Sequence, residues 1–319
     1  MSEKALLGDV GGTNARFALA ECSGARPIIS NILELSSPAY ASGADLVRDY
    51  LKKAGIAQPP RVAVIAVAGP VTKGVVHITN LGWSFAESEL RQLGIAQVCL
   101  LNDFEAQALA TVRLTPPDLH TLGPAQAGEP HATVIALGPG TGFGASALVR
   151  GHGGAVAMAA EGGHASFAPN DDVEREIQQR LAAKFDHVSI ERLLSGPGLQ
   201  NLHAALNDME GIKADAGDPT EITTRAMQGE APFERTVLRF CAILGSVAGD
   251  FALINGARGG VFIAGGIAPS ILPLLDRSDF RARFEAKGRF RAYLAPIPTQ
   301  VVLHPHAAFL GDAEVARRM

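Results

Sequence analysis

Two glycine-rich turns of like design lie far apart in the chain, Leu7-Gly8-Asp9-Val10-Gly11-Gly12-Thr13-Asn14 and Leu137-Gly138-Pro139-Gly140-Thr141-Gly142-Phe143-Gly144. Glycine lets backbone N–H groups converge with no side chain between them, and such nests bind phosphate oxygens. Two nests on two halves of one chain point to a polyphosphate clamped between domains. Only the first contains an acid, Asp9, so only that one can also manage a metal. The plainer reading makes each a tight hairpin that needs positive φ; their matched layout weighs against it.

Three further groups have side chains suited to chemistry. Asn102-Asp103 follows a buried strand and opens a helix; Asn102 with Glu105 forms a capping box, and a carboxylate suits the positive helix end. The same position, just beyond the carboxyl end of a parallel strand, is where open α/β sheets bind ligands, which makes Asp103 a candidate base. Glu161-Gly162-Gly163-His164 brings a carboxylate and an imidazole toward one small space. Two ligands without cysteine support make a weak zinc site, and hydroxyl recognition is as natural. Glu191, by default a first-turn helix acid, is the third; Gly265-Gly266 opens a late helix where a flat group can approach, though helix packing explains those glycines equally well.

The elements that must position these residues alternate. Ala5 to Leu7 is a strand entering a meander, Asp45 to Ala54 an amphipathic helix stopped by Gly55, and Val62 to Val67 a strand apolar enough to be covered on both faces. A polar helix around Ala86 to Leu93, a strand Gln97 to Leu101 and a helix Phe104 to Val112 follow. After a boundary at Leu114 to Asp118, Val134 to Leu137 begins a second set of strands. Helices are predicted over Val173 to Ala183, Ser189 to Leu194, Leu199 to Asn207, Glu221 to Met227 and Phe233 to Ile254. A late strand at Val261 to Ala264, another at Val301 to Leu303 and a short helix Gly311 to Arg317 close the chain. Strands alternating with helices, entered twice through a glycine hairpin, indicate an α/β protein with two related halves.

At 319 residues and 47% hydrophobic, the chain has room for two ordinary domains and excludes a disordered one. A net charge of −4 offers no basic field for nucleic acid or anionic lipid. Cys22, Cys99 and Cys241 are scattered, which argues against a disulfide framework and for reduced thiols in a cytoplasm. Met1 to Lys4 leads at once into a strand, leaving no room for a signal peptide, and glycine breaks every apolar run approaching a membrane span. A soluble, cytoplasmic protein is expected. Gly140 to Ala145 loosely fits the dinucleotide fingerprint, with Glu161 at a plausible distance. That motif must open a helix, whereas here Ala147-Leu148-Val149 and the turn Gly151-His152-Gly153-Gly154 follow. A Walker A loop is absent, since no Gly-Lys-Ser/Thr occurs.

In order along the chain, Gly8-Asp9-Val10-Gly11-Gly12-Thr13-Asn14-Ala15-Arg16, Asn102-Asp103-Phe104, Gly140-Thr141-Gly142, Glu161-Gly162-Gly163-His164, Glu191 to Gly198 and Gly259 to Ile267 resemble the bacterial glucokinases of the hexokinase/actin/chaperone-ATPase superfamily. The resemblance spans nearly the whole chain. It implies ATP-dependent phosphorylation of glucose at its 6-hydroxyl, with Asp103 as general base and Asn102, Asp103, Glu161, His164 and Glu191 as sugar partners. Gly8, Asp9, Val10, Gly11, Gly12 and Thr13 correspond to one phosphate loop, and Gly138, Gly140, Thr141 and Gly142 to the other. Gly265 and Gly266 correspond to the adenosine-side turn, and Asp9 stands near Mg2+, through water. The implied architecture is a two-domain actin-like ATPase (ribonuclease H-like) α/β fold with duplicated halves and an interdomain cleft. Residues 1–113 plus 301–319 would form a small domain, Val301 to Leu303 joining the first sheet, and 114–300 a large one. Homodimers are common in the family.

The repressor-linked (ROK) sugar kinases carry a cysteine-rich zinc motif after their Glu-x-Gly-His, where this chain has Ala165-Ser166-Phe167-Ala168. His164 is therefore read as a sugar contact. A kinase for mannose, fructose or an N-acetylhexosamine, and a non-catalytic actin-like ATP switch, are the alternative readings.

Overall fold

The flanking apolar runs of the first glycine turn do form a meander. In the computed structural model, which describes residues 4–24, 26–78, 81–151, 154–212 and 217–319, β1 (Lys4–Val10) pairs antiparallel with β2 (Asn14–Glu21), and β2 with β3 (Ile28–Ser36). β4 (Val62–Val67) lies parallel to β1, and β7 (Gln97–Asn102) parallel to β4. The sheet order is β3-β2-β1-β4-β7; β5 (Val75–Ile78) and β6 (Trp83–Ala86) form a separate hairpin. The near-continuous apolar run of β4 has its expected cause. Ala63, Ile65 and Val67 pack with Leu46, Val47 and Tyr50 of the helix Gly43–Lys53, whereas Val64 and Ala66 face Phe309 and Ala308 of the last helix, Ala307–Ala316.

The second glycine turn joins β9 (Val134–Pro139) to β10 (Phe143–Gly151), again antiparallel. With β8 (Leu119–Leu122), β11 (Gly154–Ala157), β12 (Gly260–Ile263) and β13 (Thr299–Val302) the order is β11-β10-β9-β12-β13-β8. β12 is parallel to both β9 and β13, and β8 closes the edge antiparallel to β13. Strand, turn and strand, with no helix after the turn, leave no place for a dinucleotide fingerprint; the turn at His152-Gly153 lies outside the described residues.

The described residues divide into two compact units: Met1–Thr115 with Ala155–Ala159 and His304–Met319, and Pro116–Gly154 with Ala160–Leu303. One expectation fails here. The strand expected at Val301 to Leu303 does not join the first sheet: Val301 pairs with Ile263 and His120 in the second. An apolar β-run carries no label for its sheet, and the pairing partners lie 38 and 181 positions away in sequence by their numbers. What returns to the first unit is the helix Ala307–Ala316, locked against the helix Asp103–Ala110 where Gly311 leaves no room for a Cβ beside the Ala106 carbonyl.

Glycine also fails to break the longest apolar helix. Ala231–Asn255 runs through Gly245 and Gly249 and ends at Gly256, whose φ of 58° is the left-handed C-terminal stop. Its length and composition alone would suffice to cross a membrane, yet it is mostly buried among the second unit's own residues. Gly245 and Gly249 abut the backbone of Phe280 and Phe284. They serve helix contact. The segment Ser189 to Leu194, expected as a helix, is a single 3-10 turn, Ile190–Arg192, ahead of the helix Gly196–Met209.

Candidate functional site

In the first unit the register brings the expected residues to one sheet edge. Val10 pairs with Val67, and Val67 with Asn102, so the first glycine turn and Asn102-Asp103 both lie at the carboxyl ends of parallel strands. Gly11 N–H donates to the Asn14 carbonyl (2.9 Å), closing a loop of Gly12 and Thr13. Ser37 fastens this loop: its hydroxyl donates to the Gly11 carbonyl (2.8 Å) and its N–H to the Thr13 carbonyl (2.9 Å). Gly8 is explained by packing, since a Cβ would lie 2.8 Å from Phe17. At Gly11 a Cβ would meet, among the described residues, the Asn14 carbonyl at 3.4 Å.

Asp9 is half-buried opposite Arg16 in the β1–β2 register. Burial pushes its carboxyl above the ordinary range, and Arg16 and then His306 pull it back. Among the described residues no group of three or more His, Cys, Asp or Glu side chains gathers as a metal site. A single carboxylate of this kind fits Mg2+, which dehydrates reluctantly and takes few protein ligands beside substrate phosphates.

The capping box at Asn102 forms as the sequence predicts. Asn102 Oδ1 accepts from Phe104 N–H (2.9 Å), and Glu105 Oε2 accepts from Asn102 N–H (3.0 Å). Asn102 Nδ2 also donates to the Gly69 carbonyl (3.2 Å). The cap thus fixes where the helix Asp103–Ala110 begins, and with it the Asp103 side chain. Asp103 is half-buried, one oxygen accepting from Phe104 N–H (3.0 Å).

The second unit builds its share around β9 and β10. Glu161 bridges to Ala145 of β10, and Gly162–His164 forms a 3-10 turn that leaves the Glu161 and His164 side chains exposed. Ala165 to Phe167 then pairs with Val188 to Ile190 through Phe167 N–H to the Val188 carbonyl and Ile190 N–H to the Ala165 carbonyl, each 2.9 Å. This brings Glu191 beside the second glycine turn, where its Oε2 accepts from Phe143 N–H (2.8 Å). His187 Nε2 donates to the His164 carbonyl (2.9 Å). Leu137 pairs with Ile263, so Gly138 and Gly265 lie at neighbouring strand ends, Gly138 against Ala264 and Gly265 against Pro139. Gly138 has no room for a Cβ beside the Ala264 carbonyl, and Gly265 has a φ of +86°. Among the described residues nothing lies against Gly140 or Gly266, as a ligand's approach requires. Gly266 precedes only a four-residue helix, Ile267–Ser270.

Gly163 is held flat against β10, with a Cβ there colliding with the Phe143 carbonyl and 3.2 Å from Phe143 Cβ. Backbone cannot yield as a side-chain tip does. Gly163→Ala is expected to cost about 1–3 kcal/mol of stability through overpacking, read as a lowered thermal midpoint. It should also displace the Glu161 and His164 side chains together.

Ser37, His306 and His187 escape a sequence reading. Each acts through a partner distant in the chain, and only the Ser36-Ser37-Pro38 turn chemistry hints at one of them. The thiols are remote from any such role: burial pushes Cys99 to about 11 and Cys241 to about 12.

The glucokinase family model matches residues 6–319. A glucokinase of Caulobacter sp. (strain K31) is 51% identical over 310 residues, covering 97% of this chain and 93% of that protein. The crystal structure of a glucokinase from an Antarctic psychrotroph superimposes with a TM-score of 0.88 at 36% identity, over 100% of both chains. A ROK family glucokinase from Streptomyces griseus, in complex with glucose and AMPPNP, shares the fold at a TM-score of 0.68 and 19% identity, over 99% of this chain and 100% of that one.

Proposed function

The chain belongs to the glucokinase family, and from that premise we propose how it transfers phosphate from ATP to the 6-hydroxyl of glucose. The observation that carries the mechanism is the capping box, which fixes Asp103 at a helix start beyond the carboxyl end of a parallel strand. Asp103 accepts the 6-hydroxyl proton as the sugar oxygen bonds to the γ-phosphorus. The bond from that phosphorus to the bridging oxygen breaks, ADP leaves, and Asp103 passes the proton to water. A positioned base of this kind contributes about 10²–10⁴ in rate.

Phosphoryl transfer otherwise gains from positioning and charge stabilisation. The N–H groups of the two glycine turns serve the phosphates, with Gly140 as an open point of approach, and the Gly265-Gly266 turn serves the adenosine. Magnesium, when bound, neutralises phosphate charge; Asp9 would hold it through water. Glu161, His164 and Glu191 take sugar hydroxyls, together with Asn102. Asn102 does so with the amide hydrogen its bond to Gly69 leaves over. A site built on hydrogen bonds rejects a sugar lacking one by factors of about 10⁴.

Both sheets share a core order, β3-β2-β1-β4-β7 and β11-β10-β9-β12-β13. This supports the reading of two duplicated actin-like halves. Homodimerisation rests on the family alone. ADP release measured across a panel of hexoses tests the function: glucose-dependent turnover is expected, weaker with mannose, fructose and N-acetylglucosamine. Hydrolysis indifferent to sugar would point to an ATP switch.

A further inference from the structure

Glu191 has two carboxylate oxygens with different surroundings. Oε2 accepts from Phe143 N–H (2.8 Å) and lies over the second glycine turn, 2.5 Å from where a Gly142 Cβ would stand. Oε1 has no hydrogen-bond partner among the described residues, and the side chain is half-buried. The segment that carries Glu191 is itself braced. Ser195 Oγ donates to the Glu191 carbonyl (2.8 Å), and Gly196 N–H donates to the Gly140 carbonyl (2.9 Å), on the same turn. The turn's own closure, Gly140 N–H to the Gly142 carbonyl, is 2.8 Å. The Gly140–Phe143 turn is therefore fastened at both ends to Glu191–Gly196.

We propose that Glu191 positions the second phosphate turn as well as contacting sugar, so that hexose and nucleotide occupancy are coupled through one carboxylate. This rests on the reading of Glu191 as a sugar partner and of Gly138 to Gly142 as a phosphate loop. A sugar hydroxyl donating to Oε1 restricts the rotation of the carboxylate and so steadies Oε2 against Phe143 N–H. The turn is then held in its phosphate-binding shape before nucleotide arrives. Coupling between two ligands is reciprocal: each raises the other's affinity by the same factor.

The test is isothermal titration of the full chain with a non-hydrolysable ATP analogue, with and without saturating glucose, for the parent, Glu191→Ala and Glu191→Gln. In the parent, glucose should tighten the nucleotide by about fivefold or more. Glu191→Ala should weaken the nucleotide about tenfold with no sugar present, since a lost bond to a charged group is of that order, and should abolish the coupling. Glu191→Gln keeps an acceptor for Phe143 N–H. It should return sugar-free nucleotide affinity to within about twofold of the parent while glucose binding stays weak. Unchanged sugar-free nucleotide affinity in Glu191→Ala would overturn the proposal and leave Glu191 a sugar contact only. Coupling that survives in Glu191→Ala, or is absent from the parent, would overturn it too. A parent that binds neither glucose nor the analogue would instead defeat the underlying assignment of the site. Should Glu191→Ala fail to fold, Glu191→Asp, which shortens the reach to Phe143 N–H, takes its place with the same expected loss.

Discussion

Asp103→Asn is expected to lower kcat with glucose by at least about a hundredfold while the glucose Kd moves by less than about threefold. Asparagine keeps the shape of the side chain and an oxygen that can accept from Phe104 N–H, as Asp103 does at 3.0 Å. The cap itself belongs to Asn102 and Glu105 and is untouched. Folding and sugar contact should therefore survive, and only proton acceptance is lost. Coupled ADP release gives kcat, and direct titration with glucose gives Kd. Turnover close to that of the parent would remove Asp103 from the role of base.

Asp312→Asn is expected to raise Tm by an amount that grows with pH. Asp312 is fully buried in the helix Ala307–Ala316, and among the described residues neither of its oxygens meets a hydrogen-bond partner. Burial holds its carboxyl well above the usual range and the nearby Asp9 pushes the same way. The Gly8 amide pulls against them without reaching hydrogen-bond geometry. The unfolded chain releases this proton above about pH 3.9, whereas the folded chain retains it. The stability of the neutral form is thus complete below the unfolded value and is lost as pH rises toward the folded one. Within that interval each pH unit costs about 1.4 kcal/mol. Asparagine has the same shape and no proton to lose. Scanning calorimetry between pH 5 and 8 should show the gap in Tm widening in the variant's favour; a constant gap would mean that Asp312 ionises normally.

How far such sites can be read from sequence varies with the range of the interaction. The capping box at Asn102 was legible because all its partners lie within four residues, and local geometry allows few alternatives. The glycine turns were legible as turns. Why each glycine is there was not. Gly138 answers to Ala264 and Gly265 to Pro139, while Gly140 and Gly266 answer to nothing among the described residues. Glu191 illustrates the same limit. The resemblance to glucokinases implied a hydroxyl partner, yet the N–H it accepts from sits on Phe143, 48 positions away.

By itself the sequence determined the α/β alternation, the two meanders with their glycine turns, the carboxylate at a strand-to-helix junction and the resemblance to glucokinases. These rest on period, turn chemistry and caps, which act over a few residues. The tertiary structure alone decided that β13 belongs to the second sheet, that the last helix serves the first unit, and that Ser37 and Glu191 fasten the two turns. Strand pairing and close backbone approach join segments far apart in the chain. An apolar run or a glycine looks alike whichever partner it will meet, and only the folded packing selects one.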